Sequence, residues 1–158
     1  MSLLQFSYKE QNDTKVADTM TIASLASLPS AAYSAPSSLI DNTPANSYGI
    51  SFTRGMLRLT FSAALTAGAG APAVTAFLLK AADGANLPNP PGTAAAAPSP
   101  NAYQVIRQVV ASAAFSVLDF PEFELDPEQY AVQLYNGAGV AFSGTVGLTL
   151  YRWNRKLA

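Results

Sequence analysis

Half of the acidic residues of the chain fall in one stretch, Asp119-Phe-Pro-Glu122-Phe-Glu124-Leu-Asp126-Pro-Glu128. Glu122, Glu124 and Asp126 alternate, so an extended segment would set them on one side, where carboxylates could ligate calcium or serve as the acid and base of a glycoside hydrolase. Against that chemistry, no DxDxDG loop occurs and nothing in the flanking residues suggests a surrounding site. The plainer expectation is a charged, proline-punctuated connection that resists edge pairing and meets Arg152, Arg155 or Lys156 across a subunit contact.

Other reactive constellations are few. The chain has no histidine and no cysteine, which removes Ser-His-Asp and Cys-His catalysis, disulfides, and zinc sites built on imidazole or thiolate. Phe142-Ser143-Gly144 does not have the spacing of a nucleophile elbow and lacks a base. Gly68-Ala-Gly70 and Gly137-Ala-Gly139 lack the lysine and helix context of a phosphate loop. Tyr135, Tyr151 and Trp153 could form an aromatic platform for a sugar, or finish the core, or pack at an interface. The expectation is a protein that is not an enzyme, with no cofactor and no metal.

The elements that would carry these residues read as strands. At 158 residues the chain suits one domain, and a formal charge of −1 with 12% charged residues gives no field to attract nucleic acid or an anionic membrane. The amino terminus lacks the pattern of a signal peptide and no stretch reads as a membrane span, so a soluble product made in a cytoplasm is expected. Residues 1–17 read as an arm, either frayed or ordered on a partner. A first strand follows at Met20, Ile22 and Leu25, then a Ser/Ala/Pro-rich connection through Pro44. Tyr48 to Leu65 is the strongest strand, with Gly55 as a bulge or bend. Val74 to Lys80, Tyr103 to Val110 and Ala114 to Phe120 are further strands, with helix as the alternative over 102–114. Residues 82–100, rich in Ala and Pro, form a long loop, either a surface excursion or a segment lying on a neighbour. Val132/Leu134 and Val146/Leu148/Leu150 alternate around Asn136-Gly137 and predict a closing hairpin. The sum is an all-β, single-domain antiparallel β-sandwich over 18–158, jelly-roll-like, with about seven to eight strands.

The order of short phrases along the chain resembles the small virion structural proteins of tailed bacteriophages, of the capsid decoration or cement type. The phrases are Thr19-Met-Thr-Ile-Ala-Ser-Leu25, Ile40 to Tyr48 with Asp41-Asn42-Thr43, Leu79 to Gly84 with Ala82-Asp83-Gly84, the region Phe115 to Glu124, and Tyr130 to Gly139 with Tyr135-Asn136-Gly137. The resemblance implies a homotrimer bound to the major capsid protein on the outer surface of the virion, with no catalytic residues. On that reading the assembly contacts would come from Leu3, Leu4, Phe6 and Tyr8 in the arm and from Arg152, Trp153 and Arg155 near the carboxyl end. The alternative is a tail- or fibre-associated module that binds a host glycan through the aromatic residues.

Overall fold

The computed structural model describes residues 15–81, 87, 104–110 and 114–154. Among these, ten strands form two five-stranded sheets whose pairings are all antiparallel. In the first sheet, β10 (Val146–Trp153) lies between β1 (Val16–Met20) and β4 (Arg54–Thr66). The far edge of β4 carries β7 (Ala114–Asp119) and then the two-residue β8 (Phe123–Glu124). In the second sheet, β9 (Gln129–Gly137) pairs with β5 (Ala73–Ala81), flanked by β6 (Gln104–Val109) beyond β5 and by the short β2 (Ala32–Tyr33) and β3 (Ile40–Asp41) beyond β9. The all-β sandwich expected from the alternating pattern is therefore present. The expected strand number corresponds to the seven longer strands; β2, β3 and β8 are too short to leave a period in the sequence.

Period-two alternation puts one face of each sheet into a shared core. Leu57, Leu59 and Phe61 of β4, with Leu148 and Leu150 of β10, meet Val74, Ala76 and Leu78 of β5 and Tyr130, Val132 and Leu134 of β9. Complete burial of each large apolar side chain contributes about 1.5–3 kcal/mol. Phe142 closes one end of this core, with its ring 5.1 Å from that of Phe61 in an edge-to-face arrangement.

β9 and β10 do not form a hairpin: they belong to different sheets, and Val132/Leu134 face Leu148/Leu150 across the core instead of lying beside them. Residues 138–145 are long enough to cross the roughly 10 Å between layers, and the crossing is anchored by Phe142 N donating to Leu28 O at 2.9 Å. Gly139, at φ +76°, lies so close to Gly68 that a Cβ would stand 2.7 Å from the Gly68 Cα. Gly55 is not a bulge but a close approach, where a Cβ would come within 2.7 Å of the Phe123 ring; the irregularity of β4 lies between Thr60 and Leu65 instead. β4 starts at Arg54, after a turn-rich segment from Tyr48, and β1 begins at Val16, inside the expected arm, and ends at Met20. Leu25 sits in a single 3₁₀ turn. Gln104–Val109 is strand, which removes the helical alternative for those residues.

Two fully buried asparagines hold the connections. Asn42 Nδ2 donates to Phe52 O at 2.8 Å and Asp126 O at 2.7 Å, and its Oδ1 accepts from Phe52 N at 3.1 Å. Asn136 Nδ2 donates to Leu28 O, Pro29 O and Val140 O at 2.9–3.1 Å, and its Oδ1 accepts from Ala138 N. An amide has two donors and an acceptor oxygen in one short side chain, which lets it satisfy the backbone of two loops at once. The phrases Asp41-Asn42-Thr43 and Tyr135-Asn136-Gly137 thus answer to loop architecture. Ala82-Asp83-Gly84 lies outside the described residues.

Candidate interaction surfaces

The acidic stretch is used within the chain. Asp119 accepts two bonds from Arg58, at 2.6 Å to Nε and 2.7 Å to Nη2, a bidentate pair across β4 and β7. Those hydrogen bonds and the charge of Arg58 hold the Asp119 carboxyl below the usual carboxylate range, and the same contact raises the Arg58 guanidinium. Glu124 approaches Arg54 at 3.5 Å, while Asp126 and Glu128 approach Lys80 Nζ at 3.6 and 3.4 Å. Glu122 is exposed. These carboxylates line an open surface beside cations, and no group of three or more metal-ligating side chains occurs among the described residues. Within the chain, Arg54, Arg58 and Lys80 stand beside this stretch, because β8 and β9 run beside β4 and β5.

Arg152 is an internal residue. Its side chain is 2% exposed, and Nε donates to Asp18 Oδ2 at 2.7 Å while Nη1 donates to Asp41 O at 2.7 Å and Asn42 Oδ1 at 3.1 Å. The guanidinium carbon also lies 4.9 Å from the Phe52 ring centre and 5.7 Å from that of Tyr48. Arg152 points inward because it alternates with Tyr151 and Trp153 on β10 and shares the face of Leu148 and Leu150. The assembly role expected of Arg152 is therefore corrected to a buried tie between β1, β10 and the residues around β3.

The three aromatic residues of the supposed sugar platform are split between opposite sides of the sandwich. Tyr151 and Trp153 stand on the outer face of the first sheet, half-buried, with Lys15 Nζ 4.8 and 4.9 Å from their ring centres and Arg58 5.4 Å from that of Tyr151. Cations of the chain itself thus cover the faces on which a sugar would stack. Tyr135 stands on the outer face of the second sheet, 4.7 Å from Tyr33, which lies 5.9 Å from Phe77. Trp153, also expected at an assembly interface, is the one described member of that set with an outward side chain. Leu3, Leu4, Phe6, Tyr8 and Arg155 lie outside the described residues, as do Lys156 and all of the loop 82–100 except Leu87.

The second sheet also presents an outer face on which aromatic rings and valines flank Thr75 and Arg107, and of its residues the aromatic motif marked only Tyr135. In register, Tyr33 lies beside Tyr135, Tyr135 beside Thr75 and Thr75 beside Arg107. The next positions set Phe77 beside Val105, and Ala73 beside Val109. Val105 and Val109 are 58% and 59% exposed. The sequence of this strand separates Val105/Arg107/Val109 from Gln104/Ile106/Gln108/Val110 without showing which face is inside, and it is the face of Ile106 and Val110 that turns inward. Pairing of Ala76 with Ile106 decides it, because Ala76 faces the core and its cross-strand neighbour must do so too.

Comparison of the chain with protein-family models, with curated proteins and with solved structures found no match.

Proposed function

We propose that this chain is a non-enzymatic virion structural protein of a tailed bacteriophage, a decoration or cement protein that binds the outside of the head. It is made in the host cytoplasm, assembles as a homotrimer over junctions of the major capsid protein, and requires no cofactor, nucleic acid or membrane. Each bound copy adds binding free energy that must be lost before the shell can open. The observation that carries the reading is the outer face of the second sheet, where Tyr33, Phe77 and Tyr135 adjoin exposed Val105 and Val109. A face of aromatic rings and valines on a nearly neutral chain suits assembly, which depends on area and shape fit more than on electrostatic steering.

The strand order supports the same reading. With β2 and β3 taken as one interrupted strand and β8 as an extension of the β7 edge, the sheets run β1-β10-β4-β7 and β2-β9-β5-β6. We read this as a jelly roll, an architecture found in viral capsid proteins and lectins. The glycan-binding alternative draws no support from the aromatic residues, given the separation of Tyr135 from Trp153.

Copy number and position in purified particles test the proposal, by quantitative mass spectrometry with image reconstruction. Density at many repeated sites over the shell is the expected result. A low copy number matching tail symmetry would shift the protein to the tail, and absence from the particle would remove it from the virion altogether.

A further inference from the structure

β6 ends its sheet, and its outer edge has no partner among the described residues. The ladder shows which backbone groups that edge presents. Val110 N donates to Pro72 O at 2.9 Å, one step beyond the pairing of Ala73 with Val109. Bonded and non-bonded pairs alternate in an antiparallel ladder. Gln108, Ile106 and Gln104 therefore direct their N–H and C=O groups to β5, while Val105, Arg107 and Val109 direct theirs away from the sheet. Among these outward groups, the Val109 carbonyl accepts a bond from the Gln108 side chain at 2.9 Å.

The opposite side of the sandwich is protected. β2 and β3 are two residues each with Pro36 between them, and Ser38 N donates to Thr21 O at 2.8 Å, which joins that segment to the end of β1. Such short strands, prolines and cross-sheet closures are the usual defences of an edge. β6 has no proline and no such closure among the described residues: its ladder to β5 is unbroken, it displays two exposed valines, and the one charge it carries, Arg107, reaches back toward the β5 side. β7, on the same side, ends the other sheet with Val117 48% exposed.

We propose that β6 pairs antiparallel with β6 of a second copy of this chain, about a two-fold axis at Arg107. Directly opposite residues of an antiparallel pair share a face, and bonds form only between residues whose backbone groups point outward. An axis at Arg107 sets Val105 against Val109 of the second copy and Val109 against Val105, so every exposed valine gains an apolar neighbour and about six N–H···O bonds become available. An axis at Ile106 would place Val105 against Arg107 and leave Val109 outside the pairing. The Arg107 side chain reaches back to Ala71 O at 3.4 Å, on the β5 side of the strand, which draws the two guanidinium groups away from the axis. The same axis brings the two β7 edges side by side in the other layer.

A contact about 20 Å long and about 20 Å deep covers roughly 400 Å² per copy, less than a standard stable interface. The pairing is therefore weak and concentration-dependent, and it doubles whatever species is otherwise present, monomer to dimer or trimer to hexamer. It does not rest on the virion reading.

Sedimentation velocity of the full chain over about 1 μM to 1 mM tests it, since weak contacts of this size dissociate in that range. The expected result is a mass that doubles with concentration. Val105→Lys with Val109→Lys, which opposes charges across the axis, should weaken the doubling by about tenfold or more. Far-UV circular dichroism and the urea midpoint verify that the variant folds. The chain has no cysteine, so Arg107→Cys can form only an intermolecular disulfide, and opposed bonded positions lie near 5.5 Å between Cα atoms, within disulfide range. Under mild oxidation this variant should cross-link much faster than Ser143→Cys in an exposed loop, which also decides the question if the lysine variant does not fold. A mass constant across the range, a doubling that the lysine pair leaves unchanged, or equal cross-linking of the two cysteine variants would overturn the proposal.

Discussion

Replacement of Asp18 by Ala isolates the buried tie at the end of the sandwich. The substitution removes the counter-charge 2.7 Å from Arg152 Nε and leaves a guanidinium that is 2% exposed with only two neutral acceptors, Asp41 O and Asn42 Oδ1. Removal of one member of a buried ion pair costs about 3–5 kcal/mol. Asp18 retains 17% exposure, so water reaches the site and the lower end applies, about 3 kcal/mol. For a domain of this size that is a large part of a total stability of about 5–15 kcal/mol and corresponds to a fall in Tm of about 6–12 °C. Urea unfolding of wild type and variant, fitted with a common slope, measures the loss directly. The companion variant Asp18→Leu with Arg152→Met removes both charges and fills the space with apolar groups, so it should recover most of the loss. A loss below about 1 kcal/mol in Asp18→Ala would refute the reasoning, because it would mean that Arg152 is not held by its counter-charge.

Three further outcomes follow from particular contacts. Asn136→Ala leaves the Leu28, Pro29 and Val140 carbonyls and the Ala138 N–H without their partner in a buried site, and should cost about 3 kcal/mol in urea unfolding. Ala31 stands at φ +58° with its N–H donating to Asn136 O at 2.7 Å. Ala31→Gly keeps that bond, relieves the left-handed strain, and should stabilise by up to about 1 kcal/mol, read as a higher urea midpoint. Asp119→Asn reports through pH. Its carboxyl is depressed by hydrogen bonds from Arg58 and by that charge, so the unfolded chain binds the proton more readily. The stabilisation is present above the unfolded value of about 4 and is lost as pH falls through the folded one. Wild type should therefore exceed Asp119→Asn at pH 6, and the gap should close toward pH 2; a gap that widens on acidification would contradict the assignment.

The sequence by itself determined that this is a β protein with one core. Period-two alternation in β4, β5, β9 and β10 follows from strand geometry and needs no partner to be read. It also determined what chemistry is absent, since a chain without histidine or cysteine cannot build imidazole or thiolate sites. Tertiary structure alone decided which strands are neighbours. Val132/Leu134 and Leu148/Leu150 show the same pattern whether they pair within a sheet or face each other across the core, and only the crossing at 138–145 separates the two arrangements. It also decided which face of β6 is inside, because one residue of register inverts every side chain and the choice is made by Ala76 on β5. The fate of Arg152 was hidden for the same reason. An arginine followed closely by Arg155 and Lys156 reads as a surface cation until Asp18, Asn42 and Phe52, remote in sequence, close around it.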